Sequence, residues 1–167
     1  MIRPLRGKSP RVASDAFVAH SAEVIGDGVI GERSSIWYGA VLRGDVEAIR
    51  IGSETSIQDN TVIHVDSSGF STVVGDRVTV GHSVVLHGCR IGNDALIGIG
   101  SILLNGAEVG DGAMIAAGSL VTPGTKIPPG MLALGSPARV KRPLTEEEMS
   151  HNRLGVAHYV QLAREHR

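Results

Sequence analysis

The chain contains few aromatic residues, one cysteine and almost no net charge, and each scarcity excludes a class of protein. Of its 167 residues, two are Phe, one is Trp and two are Tyr. Because 16 Lys and Arg are balanced by 17 Asp and Glu, the formal net charge is −1, which argues against the basic surface of a nucleic-acid-binding protein. A single cysteine excludes a disulfide framework and favours a reducing compartment, so we expect a cytoplasmic protein.

Long apolar runs are also missing. No run approaches the ~18 residues of a membrane-spanning helix, and the N-terminal stretch MIRPLRGKSP lacks the apolar core of a secretory signal. The sequence therefore predicts neither a membrane span nor a secretory signal. Glycine, by contrast, is abundant: 22 of 167 residues, about 13% against about 7% in average proteins. The core must be built from aliphatic side chains, with glycine at many turns.

Aliphatic residues recur every six positions along most of the chain. From Val74 the blocks read VGDRVT, VGHSVV, LHGCR, IGNDAL, IGIGSI and LLNGAE, and similar blocks run upstream from Ile30 and downstream to Ile127. Because side chains alternate along a strand, residues six positions apart point to the same side, here the interior. Glycine allows the chain to turn between strands. A β-sandwich would have longer and less regular spacing. The pattern predicts an all-β fold over residues 16–140, a parallel β-helix with about 18 residues per triangular coil.

The two ends of the chain lack this repeat. Residues 1–15 show no pattern, and we expect them to be irregular. After residue 140, Thr145 and Glu148 form a T-x-x-E capping box, which predicts a helix over about 145–165 within the C-terminal segment 141–167. The apolar residues that recur there at helical spacing are Met149, Val156, Val160 and Ala163. We expect this C-terminal α-helix to lie along the β-helix.

The repeat places two of the seven histidines in one outward column. His64 and His87 follow Ile63 and Leu86, which lie three blocks apart, so their imidazoles should stack on neighbouring coils. Arg43 extends the same column one coil below His64. Side chains at this spacing are close enough to share a metal ion.

His82 belongs to the preceding face, one coil above Asp59, and lies some distance from the other two histidines of its own chain. If three prisms pack around a threefold axis, His82 of one chain can meet that column on the next. Three imidazoles form the ligand set of a catalytic zinc site, and neutral imidazole also suits Fe²⁺ and Co²⁺. The alternative is that all three are ordinary surface histidines. The histidines without a partner pattern are His20, His151, His158 and His166.

Three stretches of this sequence resemble the gamma-class carbonic anhydrases: VLRGD (41–45), IQDNTVIH (57–64) and GHSVVLHGC (81–89). The resemblance covers nearly the whole chain, including the final helix. It implies a left-handed β-helix, a homotrimer with metal sites shared between neighbouring subunits, and a small-molecule substrate. The implied activity is the reversible hydration of CO₂ to bicarbonate by a metal-bound hydroxide.

The resemblance also implies roles for individual residues. The implied zinc ligands are His64, His82 and His87, with Fe²⁺ and Co²⁺ as alternative metals. The implied ion pairs at the trimer interfaces involve Arg43, Asp45 and Asp59. Gln58 corresponds to a catalytic residue near the metal-bound water. Tyr159 corresponds to a tyrosine that approaches the site in some relatives, and ordinary helix packing explains it equally well.

The sequence departs from the best-known active members in its acidic residues. Val46 stands where those members have glutamate, Ser56 replaces an asparagine, and the loop VDSSGFSTV after His64 lacks their acidic insertion. Glu47 and Asp66 are the nearby substitutes for transferring a proton to solvent. The motif thus supports a metal site better than it supports fast CO₂ hydration.

Two other functions are consistent with the same repeat. The segment GSPARVKR (135–142) resembles the ending of hexapeptide acyltransferases that use acyl-CoA, although it also serves to terminate a β-helix. A non-catalytic, metal-binding trimeric scaffold is the third interpretation. Cys89, at the corner after Leu86, is best explained as a small buried thiol rather than a ligand or nucleophile.

Overall fold

The computed structural model describes residues 1–167 as twenty short strands followed by one helix. In chain order the elements are β1 (Ile2–Arg3), β2 (Arg11–Val12), β3 (Phe17–Val18), β4 (Glu23–Ile30), β5 (Ser35–Ile36), β6 (Val41–Ile51), β7 (Ser56–Ile57), β8 (Val62–His64), β9 (Thr72–Val74), β10 (Thr79–Val80), β11 (Val85–His87), β12 (Arg90–Ile91), β13 (Leu96–Ile97), β14 (Ile102–Leu103), β15 (Glu108–Val109), β16 (Met114–Ile115), β17 (Leu120–Val121), β18 (Lys126–Ile127), β19 (Met131–Gly135), β20 (Ala138–Pro143) and α1 (Glu146–Glu165).

The strands stack in parallel, coil upon coil, which confirms the predicted β-helix. One side of the prism consists of seven parallel strands, β3, β5, β7, β10, β13, β16 and β19, and the chain therefore makes seven coils. In a regular coil the paired residues are 18 positions apart, as for Ile97 and Ile115. The spacing widens to 23 between Ile63 and Leu86, where a loop leaves the prism.

The interior is a set of stacked aliphatic side chains. Along one side, the inward residues paired from coil to coil are Ile36, Ile57, Val80, Ile97, Ile115 and Ala133, each 0% exposed. Branched aliphatic side chains pack well at the ~4.8 Å strand spacing. This narrow core explains how a chain with five aromatic residues remains well packed.

The three outer faces of the prism differ in chemistry. Helix α1 packs on the face that contains β5, β7 and β10. The second, which we call the charged face, carries the paired outward residues Arg50, Val73, Arg90, Glu108 and Lys126. The third, which we call the aliphatic face, carries Val41, Val62, Val85, Ile102 and Leu120. Val62 and Ile102 are 41% and 40% exposed, so the chain leaves the aliphatic face uncovered.

Both ends of the β-helix are closed by additional pairing. The segment 1–15, expected to be irregular, contains β1 and β2, which pair in parallel with β4 and give backbone partners to the first coil. At the other end β20 pairs antiparallel with β19 and turns the chain away from the prism. Both devices protect strand edges that would otherwise be open to pairing with other chains.

The C-terminal helix begins where the capping box predicts. The Thr145 side chain accepts a hydrogen bond from the Glu148 backbone N–H, and the Glu148 side chain accepts one from the Thr145 N–H. Arg142 holds the Glu148 carboxylate with two bonds of 2.8 Å. The helix is amphipathic and carries many charges. It lacks the long apolar stretch that a membrane-spanning helix requires.

Candidate metal centre

His64 and His87 lie side by side at one edge of the aliphatic face. They are paired in register on β8 and β11, directly after the buried residues Ile63 and Leu86, so both imidazoles point outward as the repeat predicts. His64 Nδ1 lies 3.1 Å from His87 Nε2. Two nitrogens bound to one tetrahedral Zn²⁺ at ~2.0–2.1 Å are about 3.3 Å apart. The pair is therefore close to the geometry that a shared cation requires.

Asp45 orients His64 from below. Asp45 Oδ1 lies 2.9 Å from His64 Nε2, and its other oxygen is bound by the Arg43 guanidinium. Partial burial raises the pKa of Asp45, but the hydrogen bond from His64 and the charge of Arg43 together bring it below the ordinary value. An ionised carboxylate only accepts hydrogen bonds, so His64 Nε2 carries the proton and Nδ1 presents a lone pair to His87.

His87 has a partner that the sequence reasoning missed. Its Nδ1 lies 2.6 Å from Asn105 Oδ1, and Asn105 Nδ2 donates to Asp66 Oδ2 at 3.0 Å. Adding one 18-residue coil to position 87 leads to position 105, so the repeat could have identified this neighbour. The Ser68 backbone N–H and the Asn105 amide lower the pKa of Asp66. The carboxylate suggested as a proton acceptor is thus engaged in a hydrogen-bond chain to His87.

His82 lies at the opposite edge of the aliphatic face. Its Nδ1 is 2.9 Å from Asp59 Oδ2 on the coil below, the neighbour that the repeat predicts. Its side chain is 45% exposed, and strand β11 separates it from His87. No three His, Cys, Asp or Glu side chains of the chain are grouped so as to hold a metal ion. One chain therefore brings together two of the three predicted ligands and leaves the third apart.

The two predicted catalytic residues occupy different surroundings. Gln58 follows Ile57 at the corner before the aliphatic face and is 4% exposed, and its backbone N–H donates to Val80. Tyr159 lies on α1, where its ring contacts Trp37 edge-on, with centroids 6.1 Å apart. This contact agrees with the helix-packing alternative for Tyr159, and a catalytic role for its hydroxyl stays a prediction.

Cys89 is buried within the corner beside the histidines and has no part in the site. It is 0% exposed, and burial raises the pKa of its thiol to about 12. Such a thiol stays protonated at neutral pH, so it is a poor metal ligand and a poor nucleophile. The structure thus agrees with the packing role expected from the sequence.

Known proteins share both the repeat and the fold. A family model described as bacterial transferase hexapeptide (six repeats) matches residues 88–123. A solved structure of a hexapeptide transferase family protein from Anaplasma phagocytophilum superimposes with a TM-score of 0.96 at 46% identity, covering 99% of this chain and 98% of that one. These similarities agree with the β-helix described above.

Curated relatives are more specific. The chain is 52% identical over 164 residues to gamma carbonic anhydrase 2, mitochondrial, of Arabidopsis thaliana. This match covers 95% of this chain and 59% of the plant protein. The chain therefore spans about three fifths of the plant protein's length. It is also 52% identical over 152 residues to a probable carbonic anhydrase of Methanocaldococcus jannaschii, covering 91% of this chain and 95% of that protein. Because the identity to the Methanocaldococcus protein extends over nearly the full length of that protein and of this chain, the chain belongs to the gamma carbonic anhydrase family.

Proposed function

We propose that this protein is a metal-dependent carbonic anhydrase that hydrates CO₂ reversibly to bicarbonate. The observation that carries the proposal is the facing pair of His64 Nδ1 and His87 Nε2, 3.1 Å apart, with their other ring nitrogens bonded to Asp45 and Asn105. Membership of a family whose named relatives include carbonic anhydrases supports this reaction. Zn²⁺ is the proposed ion, and Fe²⁺ and Co²⁺ suit the same imidazoles. The buried single cysteine fits the cytoplasm as the proposed location.

The third ligand is proposed to come from a neighbouring subunit of a homotrimer. The aliphatic face has His64 and His87 at one edge and His82 at the other, so an edge of one chain can meet the opposite edge of the next. Such a head-to-tail contact closes into a ring of three when successive chains are related by a threefold rotation. It would also cover the exposed Val62 and Ile102. Arg43, whose side chain is 47% exposed beside Asp45, and Asp59 are proposed to pair across this contact.

The residues of the site have separate tasks in the proposed reaction. When bound, the ion acts as a Lewis acid that lowers the pKa of a coordinated water to about 7, which makes hydroxide available at neutral pH. Asp45 holds the His64 ring in place, and the buried Gln58 is proposed to orient the attacking water. Asp66 is already bonded to Asn105, so Glu47, which makes no ion pair within the chain, is the proposed proton acceptor.

Metal analysis combined with a CO₂ hydration assay tests the proposal. The protein is purified without air and then loaded with Zn²⁺, Fe²⁺ or Co²⁺, and His82→Ala is treated in parallel. We expect about one metal per chain and CO₂ hydration in the wild type, with both lost in the variant. A protein that binds no metal in any of these preparations would contradict the proposal.

The same preparations distinguish the two other functions. Saturable coenzyme A binding without stoichiometric metal would indicate an acyltransferase. A metal-loaded trimer that leaves CO₂ unchanged would indicate a scaffold or another substrate. His151→Ala is the matched control, because His151 is an exposed histidine on α1 and its loss should change neither metal content nor activity.

A further inference from the structure

The segment between β8 and β9, residues 65–71, which we call the His64 loop, is fastened at both ends. Asp66 and Phe70 exchange two backbone hydrogen bonds of 3.1 and 3.2 Å. Just beyond it, the Thr72 hydroxyl donates to the His64 carbonyl at 2.6 Å and accepts from the Gly88 N–H at 2.9 Å. The loop is therefore tied to the backbone beside both histidines.

The side chain of Phe70 packs against two glycines, Gly88 and Gly106. A Cβ added to Gly88 would lie 2.7 Å from Phe70 Cβ, and one added to Gly106 would lie 3.2 Å from Phe70 Cε1. Gly88 also has a φ of +59°, a conformation that glycine adopts without strain. The two corners thus leave room for the ring, which packs the His64 loop against the coils that carry His87 and Asn105.

The position of Asp66 decides which end of the Asn105 amide faces His87. An amide has a donating NH₂ end and an accepting oxygen, and a carboxylate only accepts. Because Asp66 takes the NH₂ end at 3.0 Å, Asn105 must present Oδ1 to His87 Nδ1, which lies 2.6 Å away. His87 Nδ1 therefore carries the proton, and Nε2 keeps its lone pair.

We propose that Asp66 and Asn105 are positioning residues that fix the tautomer and ring orientation of His87. With the amide reversed, Asn105 would donate to Nδ1, and the proton of His87 would move to Nε2. Nε2–H would then donate a hydrogen bond to His64 Nδ1 over the observed 3.1 Å. Neither nitrogen would have a free lone pair for a metal ion. The pair thus keeps both facing nitrogens available as ligands. The purpose of this arrangement rests on the proposed function, whereas the two hydrogen bonds that would set the tautomer lie within the chain itself.

Nitrogen-15 NMR of the metal-free protein at pH 8.5 tests the inference directly, because the ¹⁵N shifts of a neutral imidazole report which nitrogen is protonated. In the wild type we expect His87 to be protonated at Nδ1. Asp66→Asn lets the Asn105 amide turn over, and Asn105→Leu removes it, so both should populate the Nε2-protonated form. Zn²⁺ affinity should fall about 10–100-fold in both.

An exchange of the two side chains separates positioning from packing. In the double variant D66N/N105D, the carboxylate at position 105 accepts from His87 Nδ1 and the amide at position 66 donates to it. The double variant should regain the wild-type tautomer and most of the Zn²⁺ affinity. Ser67→Ala, in the same loop and without a side-chain partner, should match the wild type in both measurements.

The outcomes assign failure to one proposal or the other. Nδ1 protonation that persists in both single variants would overturn the inference, as would a double variant no better than either single one. If the tautomers change as expected while the wild type binds no metal, the positioning role stands and the metal-dependent function fails. Circular dichroism of each variant confirms that the β-helix has folded, and Asp66→Asn, which keeps the side-chain shape, is the variant least affected by misfolding.

Discussion

Val62→Glu is the sharpest test of the shared site, because it acts on assembly without touching a ligand. Val62 lies outward in the middle of the aliphatic face, between Val41 and Val85, and is 41% exposed. In a single chain the new carboxylate stays in water, and such a surface change alters the free energy of unfolding by about 0.5 kcal/mol or less. In the proposed trimer the same carboxylate would be buried without a partner.

The expected effect on assembly is large. Complete burial of a valine contributes roughly 1.5–3 kcal/mol, so the 41% still exposed accounts for roughly 0.6–1.2 kcal/mol per interface. Burying an unpaired charge costs about 3–5 kcal/mol more. The total, about 4–6 kcal/mol at each interface, corresponds to an approximately 10³–10⁴-fold weaker contact.

Sedimentation velocity and metal analysis measure the two consequences together. Val62→Glu should sediment as a monomer at micromolar concentration and should lose its metal. Val73→Glu is the matched control, because Val73 occupies the same outward position on the charged face, between Arg50 and Arg90. The control should remain trimeric and retain its metal. A trimeric Val62→Glu protein, or a monomeric one with full metal content, would refute the reasoning.

Two further predictions concern the helix start and the thiol. Hydrogen bonds from Arg142 and the Thr145 N–H lower the pKa of Glu148 to about 2, so the stability that its ionised form adds is complete above pH ~4.5 and is lost as the pH falls toward 2. The melting-temperature difference between wild type and Glu148→Gln should therefore shrink over that range, and a constant difference would contradict the assignment. Because burial raises the pKa of Cys89 to about 12, the native protein should not react with a thiol reagent at pH 8, whereas the protein in guanidinium should react once per chain.

The repeat itself made much of the site predictable. Since every regular coil returns to the same side after a fixed number of residues, the alignment of His87 over His64 and of His82 over Asp59 could be worked out by counting. The same counting separated His82 from the other two histidines. Asn105 required only one more coil in the same count.

The parts that interrupt the repeat could not be derived in this way. The role of Asp66 depends on a loop whose position is set by Phe70 on Gly88 and Gly106, residues 18 and 36 positions further along the chain. Likewise, the strands of segment 1–15 form only because β4 offers them an open edge. Such contacts are tertiary, and no local periodicity encodes them.

The proposed division of metal ligands between two edges of the aliphatic face has a thermodynamic consequence. Two imidazoles from one chain would form half of a tetrahedral ligand set, and a third ligand from a neighbour would make ion binding and association a single linked equilibrium. An ion that binds only the assembled site stabilises the trimer by RT ln(1 + [ion]/Kd) for each site, which is about 2.7 kcal/mol per site when the ion is at a hundred times Kd. Removal of the ion by a chelator should therefore raise the protein concentration at which the trimer dissociates into monomers. Conversely, dilution of the protein to monomers should release the ion. In the proposed trimer the aliphatic face and the His64–His87 pair act as one structural unit, because in a single chain the face stays exposed and the ligand set stays incomplete.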